Sequence, residues 1–100
     1  MTSRRKSCAD MAEVRESIDA IDRELVAILA DRLHFIAEAA RIKPNRDQVR
    51  DDERVEDVLN KVRAAAKEQG VDPELIAGVF RELVERSIVH EFTLFDQRKH

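Results

Sequence analysis

The stretch Met11–Ile42, MAEVRESIDAIDRELVAILADRLHFIAEAARI, decides the fold. Apolar residues recur through it at Met11, Val14, Ile18, Ile21, Leu25, Ile28, Phe35, Ala39 and Ile42. Alternating steps of three and four are the spacing of one helix face, and sustained this long they make a coiled-coil-like seam. Arg32 takes a seam position between Ile28 and Phe35, and an adjoining row reads Arg15, Asp22, Leu29, Ile36, Lys43. A guanidinium on an apolar seam is costly unless it is paired or snorkels out. Three cations flanking one seam suggest a buried anion site. For Arg15 and Lys43 taken singly, snorkelling or pairing across a coiled coil competes with that reading.

Composition bounds what surrounds this helix. The chain has 100 residues, 43% hydrophobic and 39% charged, with two Gly and two Pro, which describes one small helical domain. Four Phe are its only aromatics, so the core is thin and aliphatic, and association would add considerably to its stability. A net charge of −3 with both signs interspersed argues against a nucleic-acid or anionic-membrane surface. The basic start MTSRRK is not followed by an apolar stretch, so no secretory signal is read, and no apolar run approaches a membrane span. One cysteine, Cys8, allows no internal disulfide and suits a reducing cytoplasm. Residues 1–9 are expected to be a flexible tail and 10–100 the helical domain.

Start and stop signals divide that domain into three helices. Asp10 can cap the first, and Pro44 ends it by pushing Lys43 away from the α region. Asn45–Arg50 reads as a polar connection. The second helix starts near Asp51, with Asp52 and Glu53 complementing its dipole. Its apolar face is Val55, Val58, Leu59, Val62, Ala65 and Ala66, and Gly70 ends it. Asp72-Pro73 is an N-cap followed by proline in the first turn. The third helix runs to about Gln97, with Ile76, Val79, Phe80, Leu83, Val84, Ile88 and Phe92 on its buried side. At 1.5 Å per residue the first helix spans about 50 Å and the second about half of that. The uncovered apolar ladder then needs another copy of itself, and the simplest closed solution pairs helix 1 across a two-fold axis.

Geometry brings some of the polar residues into one place. Arg32 and Lys43 lie nearly on one face with Cα atoms about 16 Å apart, so their side chains could clasp something small between them. Arg15 lies about 25 Å from Arg32 along the axis and could join only from an antiparallel partner helix. Arg50, Asp51 and Arg54 form R-D-x-x-R, with Asp51 and Arg54 on one face, unless they are simply a solvated helix start. Ser87 and Glu91 interrupt the apolar side of the third helix one turn apart. A back-bonded serine and a solvated carboxylate are the alternatives there. His34, His90 and His100 have no metal-ligand spacing, and no Gly-rich phosphate loop or nucleophile elbow is present. Cations with one carboxyl and no nucleophile suit binding and polarising a dianion, without metal or cofactor.

At this point the chain resembles the small all-α chorismate mutases of the AroQ type, over Cys8 to about Gln97. The resemblance rests on VRESIDAIDRELV (14–26), ADR (30–32), Lys43, VRDDER (49–54) and S-x-x-x-E (87–91), and above all on the spacing from Arg15 to Arg32 to Lys43. It implies an intertwined cytoplasmic homodimer acting on chorismate, with Arg15 entering the partner's site and Arg32 acting in its own chain to clamp the two carboxylates. Lys43 would meet the side-chain carboxylate and the ether oxygen. Asp51 would face the ring hydroxyl, and Arg54 and Ser87 would support the carboxylate pocket. Glu91 falls where many members carry Gln as second donor to the ether oxygen, so it must be protonated to donate. Val55 stands where several mutases have a glutamate.

The rearrangement to prephenate is pericyclic and needs no covalent catalysis. It needs a compact conformer held in place and negative charge stabilised on the ether oxygen. Isochorismate pyruvate lyases share the fold, the N-terminal Cys-to-Ile-Arg stretch and a Val after the second-helix arginine, as Cys8 and Val55 do here. Arg50-Asp51 and Ser87 look mutase-like. A 4-amino-4-deoxychorismate mutase, and a non-catalytic helical dimerisation module, are further alternatives. The module would not require Arg32, Lys43, Arg54 and Ser87 together.

Overall fold

The computed structural model describes residues 4–98, which are helical apart from short connections and contain no strand. The histidine at position 100 and the first three residues of the expected tail lie outside that range. Helix α1 spans Met11–Ile42, a 3-10 turn spans Arg46–Gln48, α2 spans Asp52–Glu68 and α3 spans Pro73–Gln97. The three expected helices are therefore present. No helix among the described residues is long and apolar enough to cross a membrane.

Each boundary has a local cause. Asp10 Oδ1 accepts from the Glu13 N–H at 2.9 Å, and Glu13 Oε2 accepts from the Ala9 N–H at 2.9 Å. This reciprocal pair satisfies donors that the first helical turn cannot. At the α2 end, Gly70 has φ 71°, where a side chain would be strained. The Val71 N–H reaches Ala66 O at 2.9 Å and the Gly70 N–H reaches Lys67 O at 3.1 Å, which closes the helix as a Schellman motif. Asp72 then caps α3 by accepting from the Glu74 N–H at 2.9 Å.

The chain divides into two compact units, residues 1–33 and 34–100, with the boundary inside α1. In the first unit, residues 4–8 have no regular secondary structure, and Arg4 pairs with Glu24. The ladder residues Met11, Ile18, Ile21, Leu25 and Ile28 are all exposed. In the second unit, α2 packs on α3, which also meets the 3-10 turn. Every buried hydrophobic residue of the described chain belongs to this unit: Ala40, Val49, Leu59, Ala66, Ala77, Val84, Ile88 and Phe95. Leu59 is buried to 1% exposure, worth about 1.5–3 kcal/mol relative to leaving it in water.

Two expectations are corrected. Val79 is 60% exposed and Ala65 is exposed, whereas Ala77 is 1% exposed. Helix α3 has apolar residues on several faces (Leu75 and Val89 are exposed too), so periodicity alone could not choose its buried side. The connection Asn45–Arg50 is not wholly polar in role, because Val49 is 2% exposed and joins the core with Ala40, Val84, Ile88 and Phe95. As expected, α2 starts beside Asp51, which is its N-cap, with extended backbone and a carboxylate that accepts from the Arg54 N–H.

Candidate functional site

Lys43 follows directly on α1. Its N–H still bonds Ala39 O at 2.9 Å, and Pro44 then ends the run. The side chain is partly buried, and Nζ donates to Val49 O at 3.2 Å. The same Nζ stands 2.7 Å from Glu91 Oε2, whose side chain is only 4% exposed. The approach is close enough for charge pairing, but its angles are not those of a hydrogen bond, so Oε2 remains a buried acceptor without an aligned donor. Distance matters more than angle for two charges, and we treat the contact as an ion pair. A carboxylate this buried needs a charge partner, and Lys43 supplies one.

Two α-helical facts deliver Glu91. Ser87, Ile88, Glu91 and Phe95 lie on one buried face of α3, and Ile88 and Phe95 fill the core beside it. Ser87 Oγ donates to Leu83 O at 2.7 Å, the back-bonding of a serine within a helix. The serine is therefore buried beside Glu91, one turn away, with its hydroxyl proton directed at its own helix.

The start of α2 arranges its charges locally. Asp51 Oδ1 accepts from the Arg54 N–H at 3.1 Å, so this acid meets the backbone of Arg54 and not its guanidinium. The Arg54 guanidinium turns to Asp57. Asp57 is held below the usual carboxylate range by hydrogen bonds from Lys61 and then Arg54. Arg50 donates to Glu85 on α3 and to Asp52, and these bonds, Glu85 first, hold it above its ordinary value. Val55 is half-buried against the core. Lys43, Arg50, Asp47, Gln48, Asp51, Asp52 and Glu53 line an open cavity of about 580 Å³. Its rim holds two cations and four carboxylates.

Arg15 and Arg32 belong to the first unit. Arg15 is exposed on α1, and Arg32 is half-buried. The structure thus joins Lys43 to Glu91, sets Ser87 one turn from Glu91, and places Arg50, Asp51 and Lys43 around one cavity.

Arg98 has no counterpart in the sequence reading. Its Nη1 donates to Lys43 O at 2.6 Å and Ala40 O at 3.1 Å, with Arg41 O at 3.4 Å, and Nη2 donates to Pro44 O at 3.2 Å. Its guanidinium carbon sits 3.7 Å over the Phe95 ring. Cations are favoured at helix C-termini, which is the one signal that could have flagged it. That signal names no partner, because the cation comes from the far end of the chain.

A model of the chorismate mutase type II family matches residues 14–92. The chain is 28% identical over 94 residues to an isochorismate pyruvate lyase of Pseudomonas aeruginosa, covering 94% of this chain and 93% of that protein. It is 30% identical over 78 residues to a chorismate mutase of Methanocaldococcus jannaschii, covering 77% and 79%. A bifunctional chorismate mutase/prephenate dehydratase of Escherichia coli is 31% identical over 85 residues, covering 84% of this chain but 22% of that protein.

Proposed function

The chain belongs to the chorismate mutase type II family, and from that premise we propose that it rearranges chorismate to prephenate in a site shared between two copies. The observation that carries the reading is the Lys43–Glu91 pair, a half-buried ammonium 2.7 Å from a buried carboxyl at the end of α1. As the ether C–O bond breaks, negative charge grows on its oxygen, and a fixed ammonium there stabilises the transition state more than the ground state. Glu91 helps only when protonated, since a carboxylate has no hydrogen to donate and repels the developing charge. Arg15 from the partner copy and Arg32 from the same chain would hold the two carboxylates of the substrate. These arginines would also offset the four acids on the rim of the cavity beside Lys43. Asp51, Arg54, Val55 and Ser87 would surround the ring and carboxylate ends. No cofactor or metal is required by a pericyclic step.

The dimer is supported by the seam on α1. Met11, Ile18, Leu25, Ile28, Phe35 and Ile42 are each between 48% and 68% exposed, an apolar ladder that a second antiparallel copy would cover.

A second reading has its own support. The similarity to the isochorismate pyruvate lyase covers nearly the whole chain, and Cys8 and Val55 fit the resemblance to such lyases. That reaction also breaks the enolpyruvyl ether bond, with ring hydrogen passing to the departing side chain, so the same ammonium would serve. The deciding experiment incubates the protein with chorismate and isochorismate separately and identifies the products. Prephenate from chorismate supports the first reading. Salicylate and pyruvate from isochorismate, without prephenate, would replace it by the second.

A further inference from the structure

We propose that Arg98 is a positioning residue for Lys43, holding the backbone from which the ammonium group reaches into the site; this rests on the reading of Lys43 above. A helix leaves its last four carbonyls without intrahelical donors. Here local relief is blocked, because Pro44 has no N–H to fold back onto the turn. The 32-residue α1 also carries partial negative charge at this end. Arg98 meets both needs with one group, reaching Ala40 O and Arg41 O of the last turn at 3.1 and 3.4 Å, and Lys43 O and Pro44 O just beyond it at 2.6 and 3.2 Å. The buried Phe95 ring beneath it fixes the plane of the guanidinium.

Helix α3 and the residue that follows it therefore grip Lys43 at both ends. Glu91 meets its Nζ at 2.7 Å, and Arg98 meets its carbonyl at 2.6 Å. A lysine side chain has four rotatable bonds, so Nζ is placed only as well as its backbone origin and its far partner are placed. Losing the backbone anchor lets the ammonium drift, and a misplacement near 1 Å can cost up to about a hundredfold in rate. Lysine at position 98 would keep the charge but not the planar fork that spans several carbonyls. This separates positioning from the general field of a nearby cation.

The test compares wild type, Arg98→Lys, Lys43→Gln and the double variant, each assayed with chorismate and with isochorismate, with Tm measured for all four. Arg98→Lys should lower kcat about tenfold or more while KM changes little. In the Lys43→Gln background the same replacement should leave kcat unchanged, although it lowers Tm equally in both backgrounds. Equal fold losses of kcat in both backgrounds, or no loss in wild type, would overturn the positioning role. If Lys43→Gln itself leaves kcat unaffected, the reading of the site fails instead. An activity-independent measurement keeps the two apart: in protein labelled with ¹³C at lysine Cε, Arg98→Lys should move or broaden the Lys43 resonance, assigned by its loss in Lys43→Gln. An unaltered Lys43 signal rejects the proposal whatever the enzyme turns over.

Discussion

The two parts of α1 carry one apolar pattern and two burial outcomes. Through residue 33 the ladder lies open, with Leu25 48% and Ile28 62% exposed. Past residue 33 the same helix contributes Ala40, at 2% exposure, to a core with Val49, Val84, Ile88 and Phe95. Phe35 and Ile42 remain exposed even there, on the seam. A repeat of threes and fours states which face is apolar; it does not state what covers it. Ala40 lies beside the ladder and not on it, so the core takes a neighbouring face of α1, and the exposed seam is the surface that the proposed second copy would take. The chemistry is divided in the same way, with Arg15 and Arg32 on one part and Lys43 and Glu91 on the other.

The largest effect should come from Lys43, because the charge stabilisation proposed at the ether oxygen falls on it. Losing an electrostatic donor at a developing oxyanion costs about 10²–10³ in kcat, so Lys43→Gln should lower kcat by that factor, substantially more than it weakens ground-state binding. Unchanged turnover would leave Lys43 as a structural partner of the buried Glu91 alone. Arg15→Ala and Lys43→Ala should each be nearly inactive. Mixed together with subunit exchange they should regain activity, since one heterodimer site carries both lesions and the other neither. No recovery despite demonstrated exchange would remove the shared site.

The next prediction sets the covered core against the open seam. Leu59→Ala should destabilise folding by about 3 kcal/mol, because its cavity cannot close fully. Leu25→Glu, on the exposed ladder, should change the mass in solution from dimer to monomer. Denaturant unfolding and light scattering read the two effects. A Leu25→Glu variant that keeps the mass of the wild type would mean that this seam is not the interface.

How much of this was legible in the sequence follows from the range of the forces involved. Asp10, Gly70 and Asp72-Pro73 act on their own neighbours, so their spacing to those neighbours announces the helix ends. Asp51 acts locally as well, yet its capping role hid behind a site role suggested by resemblance. The face of α3 was harder: Val79 and Ala77 are both apolar, and only the close approach of α2 selects the smaller one. Arg98 was beyond reach, because nothing near it in sequence records the carbonyls of Ala40 and Lys43. The meeting of Lys43 and Glu91 is equally non-local. The resemblance sets both residues at one ether oxygen without implying their direct contact, and periodicity does not bring them together.

A smaller effect concerns Glu91, the residue that departs from the commoner glutamine. Its carboxyl can donate to an ether oxygen only while protonated, whereas a carboxamide always carries a donor. If Glu91 faces the ether oxygen, Glu91→Gln should retain kcat while Glu91→Ala, which removes the donor, should lose it. Equal losses in both variants would place Glu91 away from the ether oxygen and leave it as the buried partner of Lys43.

The smallest effect should lie on the solvent side of α1, where Glu38 accepts from Arg41 at 2.9 Å. That hydrogen bond, with the guanidinium charge behind it, holds the Glu38 carboxyl below its ordinary value. The sign follows from linkage: a carboxylate whose folded value is lowered adds stability above its unfolded value and loses it as pH falls through the lowered one. The pair is solvent-exposed and one helical turn apart, so its contribution should be slight and screened by salt. Comparing Tm for wild type and Glu38→Gln should therefore show a small advantage for wild type near neutral pH. That advantage should disappear in acid and shrink in high salt. A difference that persists in acid would assign Glu38 a packing role, and the solvent side of α1 would then not be as energetically quiet as its exposure implies.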